Sequence, residues 1–385
     1  MIGNTPMQRV ESLSRLTGCD VLIKCEFANP GGSVKDRVAL RIVREALASG
    51  ELRPGGEITE GTAGSTGVSV ALVAAALGCK ARRPARRCSI HWFPYDRVRV
   101  KPQMMASFGA TTRRVRPVSI SHPEHYVKIA RQRAMDACAR DGKGAGYFAN
   151  QFENAANFRA HLDGTGPEIW RQMGGRRGGV DAFVCAAGTG GTLAGVSRYL
   201  RSKDPRVQFF LVDPPGSSLY NKVNRGVMYC KEEAEGTRLK NPFDTITEGV
   251  GINRLTANFS IALGGDGSEA GTSAPVEGVE PLETSPIARA FKCSDREAVE
   301  MSRYLAREDG LFLGASSCVN VVGAVKVARA LGPGHRVVTI ACDSGVRHLT
   351  KFWSPEYLEK HGLTPRATGS GLEFLGASLQ KFFTH

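Results

Sequence analysis

The sequence lacks several things, and each lack closes off a class of protein. It has no Cys-x-x-Cys pair, although ten cysteines are scattered along the chain. That scatter argues against a disulfide framework and predicts buried, reduced thiols in an intracellular protein. No apolar run approaches the roughly 18 residues of a membrane span, so no transmembrane segment is expected. No metal site is spelled out: His122-Pro-Glu-His125 reads as a loop rather than a ligand pair. No Gly-Lys-Ser/Thr ends a glycine-rich turn, which excludes a P-loop. No n-region, h-region or amphipathic Arg/Ser segment opens the chain, so a cytoplasmic protein is expected. Acid is scarce too, with 37 Asp+Glu against 51 Lys+Arg and a net charge of +14. Half of that excess lies between Lys80 and Lys101, where Arg82, Arg83, Arg86, Arg87, Arg97 and Arg99 face Asp96 alone. No nucleic-acid-binding motif accompanies it, so a solvated loop is the reading and no nucleic-acid partner is expected.

What is present is an ordinary globular composition, 42% hydrophobic and 23% charged, with 385 residues and 45 glycines. Strand-like stretches (19–27, 57–60, 180–187, 208–212, 336–341) alternate with helix-like ones (38–47, 68–77, 193–200, 295–308). Such alternation predicts an α/β protein with parallel-rich sheets covered by helices on both faces. Residues 264–283 turn to Gly, Ser, Pro, Ala and Glu with no aromatic, which reads as a mobile surface loop.

Three glycine-bearing turns follow strands and precede helices. In Asn29-Pro-Gly-Gly-Ser-Val-Lys35-Asp-Arg37, Ser33 and Asp36 have capping-box spacing, which puts Lys35 in the first turn of a helix. The positive end of a helix favours the neutral amine, the form that condenses with an aldehyde. In Glu60-Gly-Thr-Ala-Gly-Ser-Thr-Gly67, crowded hydroxyls and glycines at a helix start suit a carboxylate or phosphate. Gly188-Thr-Gly-Gly-Thr192 has the make-up of a phosphate cradle but lacks the third glycine of a dinucleotide fingerprint. A small phosphorylated cofactor fits it better than ATP. A fourth turn, Gly314-Ala-Ser-Ser317, opens a buried helix.

Asn4-Thr-Pro6, Lys24 with Glu26, Ser33-Val-Lys-Asp-Arg37, Thr62-x-Gly-x-Thr-Gly67, Gln151-Phe152 with Asn154, Gly166-Pro-Glu-Ile-Trp170 and Gly188-Thr-Gly-Gly-Thr192 occur in that order. In this the chain, from about Ile2 to Thr350, resembles the cysteine synthase / cystathionine β-synthase family of pyridoxal-phosphate enzymes. The resemblance implies fold type II (tryptophan synthase β-like), two three-layer α/β domains with the cofactor between them. The smaller would span 37–154, the larger 1–36 with 155–352, leaving 353–385 as a tail. It implies that Lys35 forms the internal aldimine and that Gly188, Thr189, Gly190, Gly191 and Thr192 hold the cofactor phosphate. Thr62, Ala63, Gly64, Thr66 and Gln151 would hold the amino-acid carboxylate, and Ser316 would face the pyridine nitrogen. The implied reaction is that of an O-acetylserine sulfhydrylase: acetate leaves to give an aminoacrylate, and sulfide adds. A homodimer is implied as well.

Two departures stand out. Most members have an asparagine reaching the cofactor's ring hydroxyl where this chain has the shorter Ser65, and the arginine-rich stretch interrupts the family pattern. These motivate a second reading, a low-activity cofactor-binding protein with a regulatory role. Within enzymes the alternative is cystathionine formation or serine dehydration. No heme-binding Cys-x-x-His precedes Ile2 and no tandem regulatory domain follows Thr350, which favours the sulfhydrylase. The Thr-Ala-Gly-Ser-Thr variant resembles a fungal branch whose members often carry an N-terminal extension. A mitochondrial association would go with such a segment.

Overall fold

In the computed structural model, which describes residues 1–62, 64–77, 88–92, 100–115, 118, 122–230, 245–270 and 274–376, strands and helices alternate as the sequence pattern expects. β1 (Met7–Arg9), α1 (Glu11–Thr17) and β2 (Asp20–Cys25) come first. Then α2 (Lys35–Ala48) leads into β3 (Glu57–Thr62), α3 (Ser65–Ala76), β4 (Cys88–Trp92), α4 (Val100–Ser107), β5 (Thr111–Arg114), α5 (Tyr126–Asp141) and β6 (Gly146–Phe148). Helices α6 (Ala156–Ala160) and α7 (Gly166–Gln172) precede β7 (Ala182–Ala186), α8 (Gly191–Lys203), β8 (Gln208–Asp213), α9 (Leu219–Arg225) and α10 (Ala257–Ala262). β9 (Ile287–Lys292), α11 (Asp295–Glu308), α12 (Ala315–Leu331), β10 (Arg336–Ala341) and α13 (Pro355–Lys360) follow.

The strands form two sheets, in the orders β1-β2-β10-β7-β8-β9 and β5-β4-β3-β6. Every pairing is parallel except that of β1 with β2. The reason is visible in β7, Ala-Phe-Val-Cys-Ala, which is buried throughout, as a strand covered on both faces must be. Val184 packs on one face with Val212 and Val322 of α12, while Phe183 and Cys185 pack on the other with Leu193 of α8 and Phe259 of α10. The apolar helix α3 lies against α2, with Val68, Val70 and Val73 sharing a core with Val38 and Ile42.

Charge is buried where α2 meets this frame. Arg37 donates to Glu26 and to Glu168, each at 2.7 Å, and Lys24 pairs with Glu168 at 2.7 Å. Thr5 hydroxyl donates to Glu26 at 2.7 Å, closing the cluster over the N-terminal segment.

The loop after α10 is tied down rather than free. Arg198 of α8 donates to the carbonyls of Gly265 and Glu280, both at 2.8 Å, and Val276 and Val279 pack against the core. Composition signalled a surface segment but could not signal the arginine that holds it. The arginines at 82, 83, 86, 87, 97 and 99 lie outside the described residues. Among the cysteines whose side chains are described, eight are thiols outside any disulfide, and six of those are buried. No described helix is long and apolar enough to cross a membrane, and no described cluster of His, Cys, Asp and Glu could hold a metal.

Candidate active site

Three turns at the carboxyl ends of the strands converge. The first leaves β2 and reaches Lys35, the opening residue of α2. Val34 N–H donates to Cys342 O at 2.9 Å and Ser33 bridges to Asp343, which pins the turn over the end of β10. The capping box expected from Ser33 and Asp36 does not form. Val34 is the N-cap without a side-chain bond. The Asp36 carboxylate turns instead to the Gly31 N–H and to the Ser69 hydroxyl, both at 2.5 Å. A buried carboxylate takes whichever donors enclose it, and α3 supplies one that local spacing cannot reveal.

Lys35 is half-buried, and its amine has no hydrogen bond or ion pair among the described residues. Burial lowers its pKa, opposed by Cys342, Cys185 and Asp343. The shift favours the neutral amine, and burial is its largest cause.

The second turn joins β3 to α3. Gly64 N–H donates to Thr62 Oγ1 at 3.1 Å, and the Thr66 hydroxyl donates to Gln151 Oε1 at 2.5 Å. Thr62, Thr66 and Gln151 are all buried. Ala63 lies outside the described residues. Ser65 accepts from Arg347 Nη2 at 3.4 Å, and Arg347 also reaches Gly31 O in the first turn. Lys101 of α4 lies against Gly64 and pairs with Glu248. Burial works against the Glu248 charge, but Lys101, His348 and Lys351 outweigh it and hold its pKa down at about 2.

The third turn joins β7 to α8 through Gly188–Thr192. Its glycines are needed for close approach: a Cβ on Gly188 would meet Gly249 O at 2.2 Å, and one on Gly191 would meet Asn157 Oδ1 at 2.1 Å. Gly190 has φ 89°, the left-handed region. Asn157 Nδ2 donates to Thr189 Oγ1 at 2.9 Å and to Gln151 O at 2.8 Å, joining the third turn to the second. Thr192 Oγ1 meets His161 Nε2 at 3.2 Å, and burial keeps that histidine neutral. The first N–H groups of α8 have no acceptor within their own helix and open an anion site. Ser316, second residue of α12, is buried, and Asn320 of the same helix donates from Nδ2 to the Cys342 sulfur at 3.4 Å.

A phosphate cradle without room for a Cβ, an unpartnered amine and a turn of hydroxyls together fit a small phosphorylated aldehyde. These are the parts of a pyridoxal-phosphate dependent enzyme, and the chain belongs to that family: residues 1–343 match its model. Among relatives, cysteine synthase 2 of Schizosaccharomyces pombe is 48% identical over 380 residues, covering 98% of this chain and 88% of the relative. Cysteine synthase 2 of Neurospora crassa is 46% identical over 358 residues, covering 91% and 72%. The crystal structure of O-ureido-L-serine synthase superposes with a TM-score of 0.68 at 29% identity, covering 91% of this chain and 92% of that one.

Several residues at the site escaped the sequence reading. Gly251 N–H donates to Ala187 O at 2.8 Å, so the Glu248-Gly249-Val-Gly251 loop packs on the phosphate turn. Its two glycines have φ 82° and 83° and are the signal that could have found it. Asn157 has no such signal, because the contact that ties it to the Gly188–Thr192 turn, to Thr189, spans 32 residues.

One consequence is measurable. Gly188→Ala must push the Gly249 carbonyl away, and spectrophotometric titration with pyridoxal phosphate should show affinity weaker by about tenfold or more.

Proposed function

We propose that the protein is a cysteine synthase, which replaces the acetoxy group of O-acetylserine by sulfide. The observation that carries this reading is the half-buried, unpaired Lys35 amine at the meeting point of the three turns. Pyridoxal phosphate, when bound, supplies the electron sink that makes the substrate's α-proton removable. Gly188, Thr189, Gly190, Gly191 and Thr192 hold its phosphate. Thr62, Ala63, Gly64, Thr66 and Gln151 bind and orient the amino-acid carboxylate. Lys35, neutral by desolvation, takes the proton from the α-carbon. Ser316 would face the ring nitrogen with a neutral hydroxyl, which cannot hold a proton there as a carboxylate would. The weaker sink would suit β-elimination better than transamination. Ser65 would face the ring hydroxyl; Arg347 donates to the Ser65 oxygen, so a cation backs the position where most members of the resembled family carry asparagine.

The division into a small domain, 37–154, and a large one, 1–36 with 155–352, follows the two sheets. The cofactor then lies between their carboxyl edges. A homodimer belongs to the same reading, and light scattering of the purified protein tests it.

The experiment that tests the activity compares sulfide with homocysteine as acceptor, using O-acetylserine and serine as donors. Cysteine from O-acetylserine and sulfide is the expected product. Cystathionine or pyruvate as the main product would move the assignment to cystathionine formation or serine dehydration. Turnover at catalytic concentrations of protein separates an enzyme from a cofactor-binding regulator.

A further inference from the structure

Glu60, near the end of β3, is 1% exposed. Its Oε1 accepts from Gln151 Nε2 at 3.2 Å, and its Oε2 is buried with no hydrogen-bond partner among the described residues. At the other end of the same amide, Gln151 Oε1 accepts the Thr66 hydroxyl proton. Glu60, Gln151 and Thr66 therefore form one chain that ends at the turn assigned to the substrate carboxylate.

A threonine hydroxyl has a single proton. Given to Gln151, it leaves only lone pairs for the cleft, and lone pairs repel a carboxylate. The primary amide has one alternative of nearly the same shape, a half-turn that exchanges its oxygen and nitrogen. Gln151 Nε2 would then donate to Thr66 Oγ1, and the hydroxyl proton would be released toward the substrate. Gln151 Oε1 would meanwhile face Glu60, an arrangement that needs a proton on Glu60 to stand between two oxygens. We propose that Glu60 is a positioning residue whose proton sets the orientation of the Gln151 amide, and thereby decides whether Thr66 offers the amino-acid carboxylate a donor. The proposal rests on the reading of Thr66 and Gln151 as the carboxylate site.

The surroundings favour the protonated acid. Burial pushes the Glu60 carboxyl up to about 8, against the pull of the Gln151 side chain and of the nearby backbone N–H groups of Gln151, Asn150 and Gly61. The titratable groups on elements packed against β3 are committed elsewhere. Tyr147 of β6 is raised to about 12 and stays a phenol, His125 ahead of α5 is lowered to about 4 and stays neutral, and Arg133 of α5 is spent on Glu57 at 2.5 Å. Tyr126 of α5 lies against Gly61, α3 brings no ionisable side chain, and the side chains of β4, Cys88 and His91 among them, lie outside the described residues. When Glu60 loses its proton to solvent, the amide returns to the observed orientation and the Thr66 proton turns inward. No bond other than hydrogen bonds changes.

The test uses the holoenzyme and L-serine, read by the change in the visible cofactor spectrum. Glu60→Gln puts a permanent N–H donor where the proton would be and removes the titration. The serine amine titrates identically with both proteins, so it cancels in the ratio of their dissociation constants. That ratio, wild type over variant, should rise about tenfold between pH 7 and pH 9. In parallel, infrared spectra without ligand, taken as wild type minus Glu60→Gln so that Asp213 (raised by burial to about 7) cancels, should show a protonated carboxyl band at pH 6.5 that is lost by pH 9.5. A flat ratio with serine bound, or no such band at pH 6.5, overturns the role of Glu60 and leaves the carboxylate site standing. A wild-type spectrum indifferent to serine at every pH overturns the carboxylate site itself, and this inference with it.

Discussion

Lys35→Ala is expected to remove the visible absorption of a lysine-bound cofactor and to lower cysteine formation by about 10³-fold or more. Two functions should be lost together, because in the proposed mechanism the same amine anchors the cofactor and moves the α-proton. The structural part of the substitution should be small. The Lys35 amine makes no hydrogen bond or ion pair among the described residues, and the backbone at this position is held by α2 and the turn before it, its N–H donating to Ser33 Oγ at 3.3 Å. Thermal unfolding of the variant without cofactor should therefore match that of the wild type without cofactor. An added primary amine such as ethylamine should restore part of the turnover, which a folding defect would not allow. Wild-type activity in Lys35→Ala would end the assignment.

Arg37→Met should have the largest effect on stability, a loss of about 3–5 kcal/mol in denaturant unfolding at neutral pH. The guanidinium sits between Glu26 and Glu168, and its removal leaves both carboxylates buried with Lys24 as their remaining cation. The pH dependence identifies the cause. In the wild type, burial opposes the charge of Glu168, but Arg37 and Lys24 hold its pKa down to about 2. Its contribution is complete above the ordinary glutamate range and is lost as pH falls toward 2. In Arg37→Met the carboxylates are driven upward instead, so protonation relieves them. The stability gap between variant and wild type should narrow as pH falls from 7 to 4. A gap independent of pH would point to lost packing of the long side chain rather than to stranded charge.

Much of this molecule can be read along the chain, and the limits are instructive. β7 and β10 are legible because strands covered on both faces are apolar over most of their length, and α3 because a helix buried from Thr66 to Ala74 on nearly all sides is mostly apolar too. β1 was missed: three residues with mostly exposed side chains leave no periodic trace. At the site, Lys35, Thr62, Thr66 and Gly188–Thr192 declare themselves through turn chemistry that is local. Asn157, Arg347 and Glu248 do not, since each acts on residues about 30 to more than 300 positions away. Asp36 shows the same limit from the other side. Its spacing from Ser33 fits a cap, yet a donor from another helix claims it.

That dispersal bears on how the protein survives when its cofactor is scarce. The anion turn at 188–192 is held by Gly249 and Asn157, and the lysine turn by Cys342 and Arg347, so neither site exists in the unfolded chain. A ligand that binds only the finished arrangement adds its binding energy to folding, about 2.7 kcal/mol at a hundred times its dissociation constant. Vitamin supply then sets the abundance of this protein as well as its activity. Apoprotein should be cleared by proteases faster than holoprotein even where the lysine itself has been replaced, provided the phosphate turn still binds.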